Sequence, residues 1–182
     1  MQPPHKLPIV LAALLFILAA VAEIATGRSR MPQDTVTEQA RRAALVSMDE
    51  ALARGDAAAS LRAWQQAFEA ARMNRGWRGL VEVGDARVRI GAETNGAATA
   101  APRARQVYMT ALTRARAEGS VDGALRVAEG FSRLGDREVT EQVLRIAASL
   151  AVRSRDSTAP AVVEVARGRL LQPSPGLTRA TF

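Results

Sequence analysis

The chain has 182 residues, 48% of them hydrophobic, and a formal charge of +7 from 25 Lys+Arg against 18 Asp+Glu. That apolar content excludes a wholly disordered chain, and the length suffices for one domain with a core. There is no cysteine, which excludes disulfides, thiol catalysis and thiolate metal sites. Aromatics are 4%, so alanine and leucine must build most of the core; that favours close-packed helices over a sheet. The predicted fold class is all-α.

Residues 7–22 (LPIVLAALLFILAAVA) carry no charge. Glu23 ends the run, and Ile24 and Ala25 extend it slightly. The stretch is short for a membrane span but inside the tolerated range. Lys6 before it and Ala20-Val21-Ala22 at its end give the layout of a signal peptide. Residues 1–26 therefore read as an uncleaved transmembrane anchor, or as a signal peptide cut after Ala22. A buried core helix is the plainer alternative, set against Pro3, Pro4 and Pro8. Positive charge on both sides, the amine and Lys6 before the run and Arg28 and Arg30 after it, leaves the positive-inside rule undecided. The short N-terminus favours a single-pass protein of the inner membrane with its body in a bacterial periplasm. Cleavage would release that body into the periplasm.

Residues 27–35 read as a linker, with Pro32 as breaker and Asp34 or Thr35 as N-cap. Apolar spacing then predicts helices over 36–54 and 57–73, separated by Gly55-Asp56, and over about 77–90. Residues 91–102 (GAETNGAATAAP) read as a long loop ending at Pro102. Helices follow over about 103–118, 121–134 and 137–153. A capping helix at 161–171 closes a helical domain of 36–171, and 172–182 is a flexible tail.

Gly55-Asp56 is followed by Ser60, Trp64 and Ala67, and Gly135-Asp136 by Thr140, Leu144 and Ala147, at the same offsets. Ala104, Tyr108 and Ala111 repeat the trio without Gly-Asp. This pattern resembles tetratricopeptide repeats, whose small residues fall at about positions 8, 20 and 27 and whose Gly-Asp often falls at about 15 and 16. Val127, Ala128, Phe131 and Leu134 also fit in the last repeat. The middle repeat fits in halves, with Val83, Gly84 and Gly91 in its first helix. The resemblance covers about residues 41–154, and a plain helical bundle is the alternative. It implies a short α-solenoid of about three helix pairs plus a cap. Its first helices would line a concave, partner-binding groove carrying Arg42, Asp49, Arg78, Asp85, Arg89, Glu129 and Arg133, with Leu45, Val81, Asp122 and Leu125 among them. Size, N-terminal segment and an Ala/Arg-rich body also resemble the small anchored MxaK-type accessory proteins of bacterial methanol-oxidation clusters.

The chemistry of the body argues against an enzyme. His5 is the single histidine and lies in the N-terminal flank, which removes the usual general base and metal ligand. No HExxH, GxxxxGK[ST] or GxSxG motif occurs. Glu138 and Glu141 read as an acidic first helical turn. No catalytic, cofactor or metal site is expected. The arginines alternate with acids instead of forming a basic stripe, so nucleic acid is not an expected partner. The reading is a membrane-tethered protein–protein adaptor for assembly or maturation of a periplasmic or membrane enzyme complex, methanol oxidation among the candidates. The alternative is a structural or accessory subunit of a multisubunit membrane complex.

Overall fold

The computed structural model describes residues 33–172, and within them the chain is all helix: α1 (Gln33–Ala53), α2 (Ala57–Met73), α3 (Arg78–Glu93), α4 (Ala97–Ala117), α5 (Val121–Arg133), α6 (Arg137–Arg153) and α7 (Ala159–Leu171). No strand occurs among the described residues. The anchor or signal segment and the tail lie outside them. Among the described residues no helix is long and apolar enough to cross a membrane. The helix begins at Gln33, so the last positions of the segment read as linker are already helical.

The helices follow a strict period. α1, α3 and α5 end at 53, 93 and 133, and α2, α4 and α6 begin at 57, 97 and 137. Each of these junctions is a three-residue turn built in one way. Gly55 (φ 73°), Asn95 (φ 53°) and Gly135 (φ 74°) take the left-handed conformation. The following amide reaches back to the sixth residue: Asp56 to Ala51 at 2.9 Å, Gly96 to Gly91 at 2.8 Å, Asp136 to Phe131 at 3.1 Å. This is the Schellman closure, which satisfies carbonyls a helix end leaves free. Gly119 (φ 66°) closes α4 likewise.

The loop expected over 91–102 is therefore absent. Gly91 is helical, and its missing side chain lets α3 approach α4: a Cβ there would sit 2.5 Å from that of Ala100. Thr94, Asn95 and Gly96 alone make the turn. Pro102 lies inside α4. It forfeits a bond to the carbonyl of Ala98 near the helix start, where Ala98 and Thr99 face solvent.

α3 packs on α4, α4 on α5, α5 on α6, and α7 on both α5 and α6. The core is built largely of alanine around Met48, Trp64, Leu80, Ile90, Tyr108, Phe131 and Leu144. The repeat positions fall inside it: Ser60, Ala67, Ala128, Thr140 and Ala147 are buried. The buried hydroxyls of Ser60 and Thr140 are satisfied locally, Ser60 by the carbonyl of Ala57 at 2.8 Å and Thr140 by that of Asp136, the residue that precedes α6, at 2.9 Å. The end of α2 is closed from outside. Arg114 of α4 donates to the carbonyls of Ala71, Arg72, Asn74 and Gly76, placing a cation on the negative end of the helix dipole.

Candidate functional site

The residues expected to line a groove are brought together by the odd-numbered helices. Asp49 of α1 accepts from Arg89 of α3 at 2.7 Å. Arg78 of α3 stands 3.9 Å from Asp122 of α5. Asp85 of α3 pairs with Arg133 of α5, and Glu129 of α5 pairs with Arg169 of α7. Glu129 also accepts from Arg126 at 2.9 Å. Arg42 stays within its own helix, on Glu38 at 2.8 Å. Six of the seven expected residues thus take part in ion pairs that join one first helix to the next, and Arg42 does not.

Two layers of different character compose this face. The deeper one contains Arg41, which is 3% exposed and bound to both Glu38 and Glu82. The hydrogen bond from Arg41 holds the Glu38 carboxyl below its ordinary range, against the opposing effect of burial. The same layer contains Asp85, which accepts from Tyr108 at 2.6 Å as well as from Arg133. Burial first, and the neighbouring Asp85 carboxylate second, push the Tyr108 phenol well above its ordinary value. Burial opposes the charge on Arg133, but Tyr108 and Asp85 outweigh it and raise its pKa. The outer layer is open to water: Arg42 and Arg78 are each 72% exposed, and Asp49 and Arg89 about half.

Between α3 and α5 a depression of about 210 Å³ is lined by Trp77, Arg78, Val81, Glu82, Asp122 and Arg126. The Arg78 guanidinium lies 4.6 Å over the Trp77 ring. Trp77 itself is buried because α5 offers it a glycine: a Cβ at Gly123 would come within 2.8 Å of the indole.

Arg41, Glu82, Arg126 and Arg169 complete the arrangement and were not among the expected site residues. The signal that finds one row is a 40-residue spacing of opposite charges. Positions 49, 89, 129 and 169 are Asp, Arg, Glu and Arg, and the pairs Asp49–Arg89 and Glu129–Arg169 are each 40 apart. Among the described residues no group of three or more His, Cys, Asp or Glu side chains is placed to hold a metal. The arrangement is suited to exchanging hydrogen-bonded charge pairs with a ligand that carries both signs, since exposed pairs are each worth about 0–1 kcal/mol.

Comparison with protein-family models, with curated proteins and with solved structures finds no match for this chain.

Proposed function

We propose that this protein is a non-enzymatic, membrane-tethered adaptor that docks a segment of another protein along the face made by α1, α3, α5 and α7. The observation that carries this reading is the row of ion pairs running from Asp49–Arg89 through Arg78–Asp122 to Glu129–Arg169, in which every side chain but Glu129 is at least half exposed. Such pairs add little stability to the fold. They are positioned instead to open and re-form on a partner carboxylate, which arginine binds bidentately. The three 40-residue units support a short solenoid of tetratricopeptide-like pairs, with α7 as its cap. Its repeat is longer than the 34 residues of that family. Residues 7–25 provide the membrane tether, with the body in the periplasm, where the protein serves assembly or maturation of a periplasmic or membrane enzyme complex.

The test is in-cell crosslinking from residues on this face, comparing wild type with the double reversal Arg78→Glu and Arg89→Glu. Both side chains are exposed, so folding is retained. Loss of one defined crosslinked partner in the variant supports the adaptor. An unchanged partner profile overturns the docking face. A fixed-stoichiometry complex surviving detergent extraction in both proteins assigns the chain instead as a structural subunit.

A further inference from the structure

On the opposite side of α3 the charges are not balanced. Trp64 and Phe68 of α2 stack in parallel, with centroids 5.4 Å apart and planes 5° from each other. Two guanidinium groups converge on them from different helices. Arg87 of α3 lies 5.6 Å from the Trp64 centroid, and Arg103 of α4 lies 5.8 Å from Trp64 and 4.7 Å from Phe68. Both arginines are half-buried. No carboxylate answers them among the described residues. The Arg87 guanidinium makes no hydrogen bond or ion pair there, and Arg103 donates to the side chain of Gln106 at 2.9 Å. Glu69, on the same helix as the aromatic pair, is engaged by Arg72 and Gln65. Burial, and then the charge of Arg103, disfavour the charged form of Arg87.

A guanidinium lying on a ring keeps its in-plane N–H donors free, and those donors form a fork that fits tetrahedral oxyanions. Two cations held together without a counter-charge match a doubly charged ligand better than a single carboxylate. We infer that Arg87 and Arg103, backed by Trp64 and Phe68, form a binding site for a phosphomonoester dianion, free in solution or at a lipid headgroup. The site is separate from the docking face and does not depend on it.

The experiment uses the full chain in non-ionic detergent and follows the Arg Nε–H and Trp Nε1–H resonances by NMR. Inorganic phosphate is expected to shift the Arg87, Arg103 and Trp64 signals saturably, while sodium chloride at matched ionic strength does not. Arg87→Gln and Arg103→Gln should each weaken phosphate binding at least tenfold with helicity preserved, and Arg87→Lys should weaken it less. Equal shifts with chloride, or wild-type affinity in both glutamine variants, overturn the site. If a variant loses its helicity, the phosphate-against-chloride comparison on the wild type decides alone. Detergent micelles doped with phosphatidic acid separate the sources. Tenfold tighter binding than to inorganic phosphate, absent with phosphatidylcholine, supports the site with a lipid headgroup as its ligand. Equal affinity supports it with a soluble phosphate.

Discussion

Tyr108 donates its hydroxyl to Asp85 at 2.6 Å from a ring clamped between two glycines, Gly84 of α3 and Gly130 of α5. A Cβ at Gly84 would come within 2.5 Å of that ring, and one at Gly130 within 2.6 Å. The side chain from α4 therefore fills the seam where α3 and α5 meet. Its polar end joins the Asp85–Arg133 pair on the proposed docking face. Core packing and face chemistry meet at this one residue.

Tyr108 is the single tyrosine of the chain, so its titration can be read directly by absorbance. Its pKa is raised in the fold, chiefly by burial and then by Asp85. Folding thus favours the neutral phenol, and the stability this contributes is whole below about pH 10, where an unfolded tyrosine titrates. It is lost progressively as pH rises above that value toward the folded pKa. No tyrosinate signal is expected at pH 10 while the helices persist, and the signal should appear together with loss of helicity at higher pH. A tyrosinate step near pH 10 in a fully helical protein would contradict the burial and the hydrogen bond.

The glycine clamp predicts opposite signs for one substitution at different places. Gly84→Ala and Gly130→Ala gain helix propensity of about 1 kcal/mol but overpack the Tyr108 ring, which costs about 1–3 kcal/mol. Both should lower the melting temperature. Gly168→Ala in α7 meets nothing within 4 Å and should raise it. A rise in all three would show that Tyr108 does not sit between the helices as described.

Much of this fold is legible in the residues, and the part that is not has a local cause. Gly55-Asp56 and Gly135-Asp136 announce two turns, and α2 and α6 have the boundaries that apolar spacing predicts. The middle unit hides because its turn is Asn95-Gly96, while Gly91 and Pro102 imitate breakers inside helices. Gly91 is there for close approach to Ala100, and Pro102 sits where its lost bond faces water. The charges of the proposed docking face are legible as residues, but their pairing is not, because Asp49 and Arg89 belong to different units. The Arg87–Arg103 cluster leaves no trace at all: it depends on how α2, α3 and α4 turn their sides toward each other, which no single-helix pattern encodes. Asp56 and Asp136 show the same limit. The first caps α2 through Ala59 at 2.8 Å, whereas the second is held by Arg105 at 2.6 and 2.8 Å.

The left-handed turn at Asn95 gives a sharp test of the 40-residue period. Asn95→Gly should leave stability unchanged or raise it slightly, because glycine adopts this conformation freely. Asn95→Ala should cost about 1–2 kcal/mol, the penalty for an ordinary side chain in that region. Urea denaturation of the two variants would measure the difference. Equal midpoints would mean that the chain between α3 and α4 is not closed by this turn.

Trp64 ties the second helix of the first unit to the unit that follows. Its indole is 4% exposed and donates to the carbonyl of Val83 in α3 at 2.9 Å. Trp64→Ala should destabilise by about 3–5 kcal/mol, from lost burial and the cavity left behind. Trp64→Phe retains a ring for Phe68, Arg87 and Arg103 but loses the hydrogen bond, a deficit of about 0.5–1.5 kcal/mol beyond the volume change. Val83 is covered in the core, so its carbonyl finds no water in exchange. The phenylalanine variant should therefore fall clearly between wild type and alanine in urea midpoint, with an unchanged slope if unfolding remains two-state. An alanine variant as stable as wild type would place Trp64 outside the core and break the link between the first and second units.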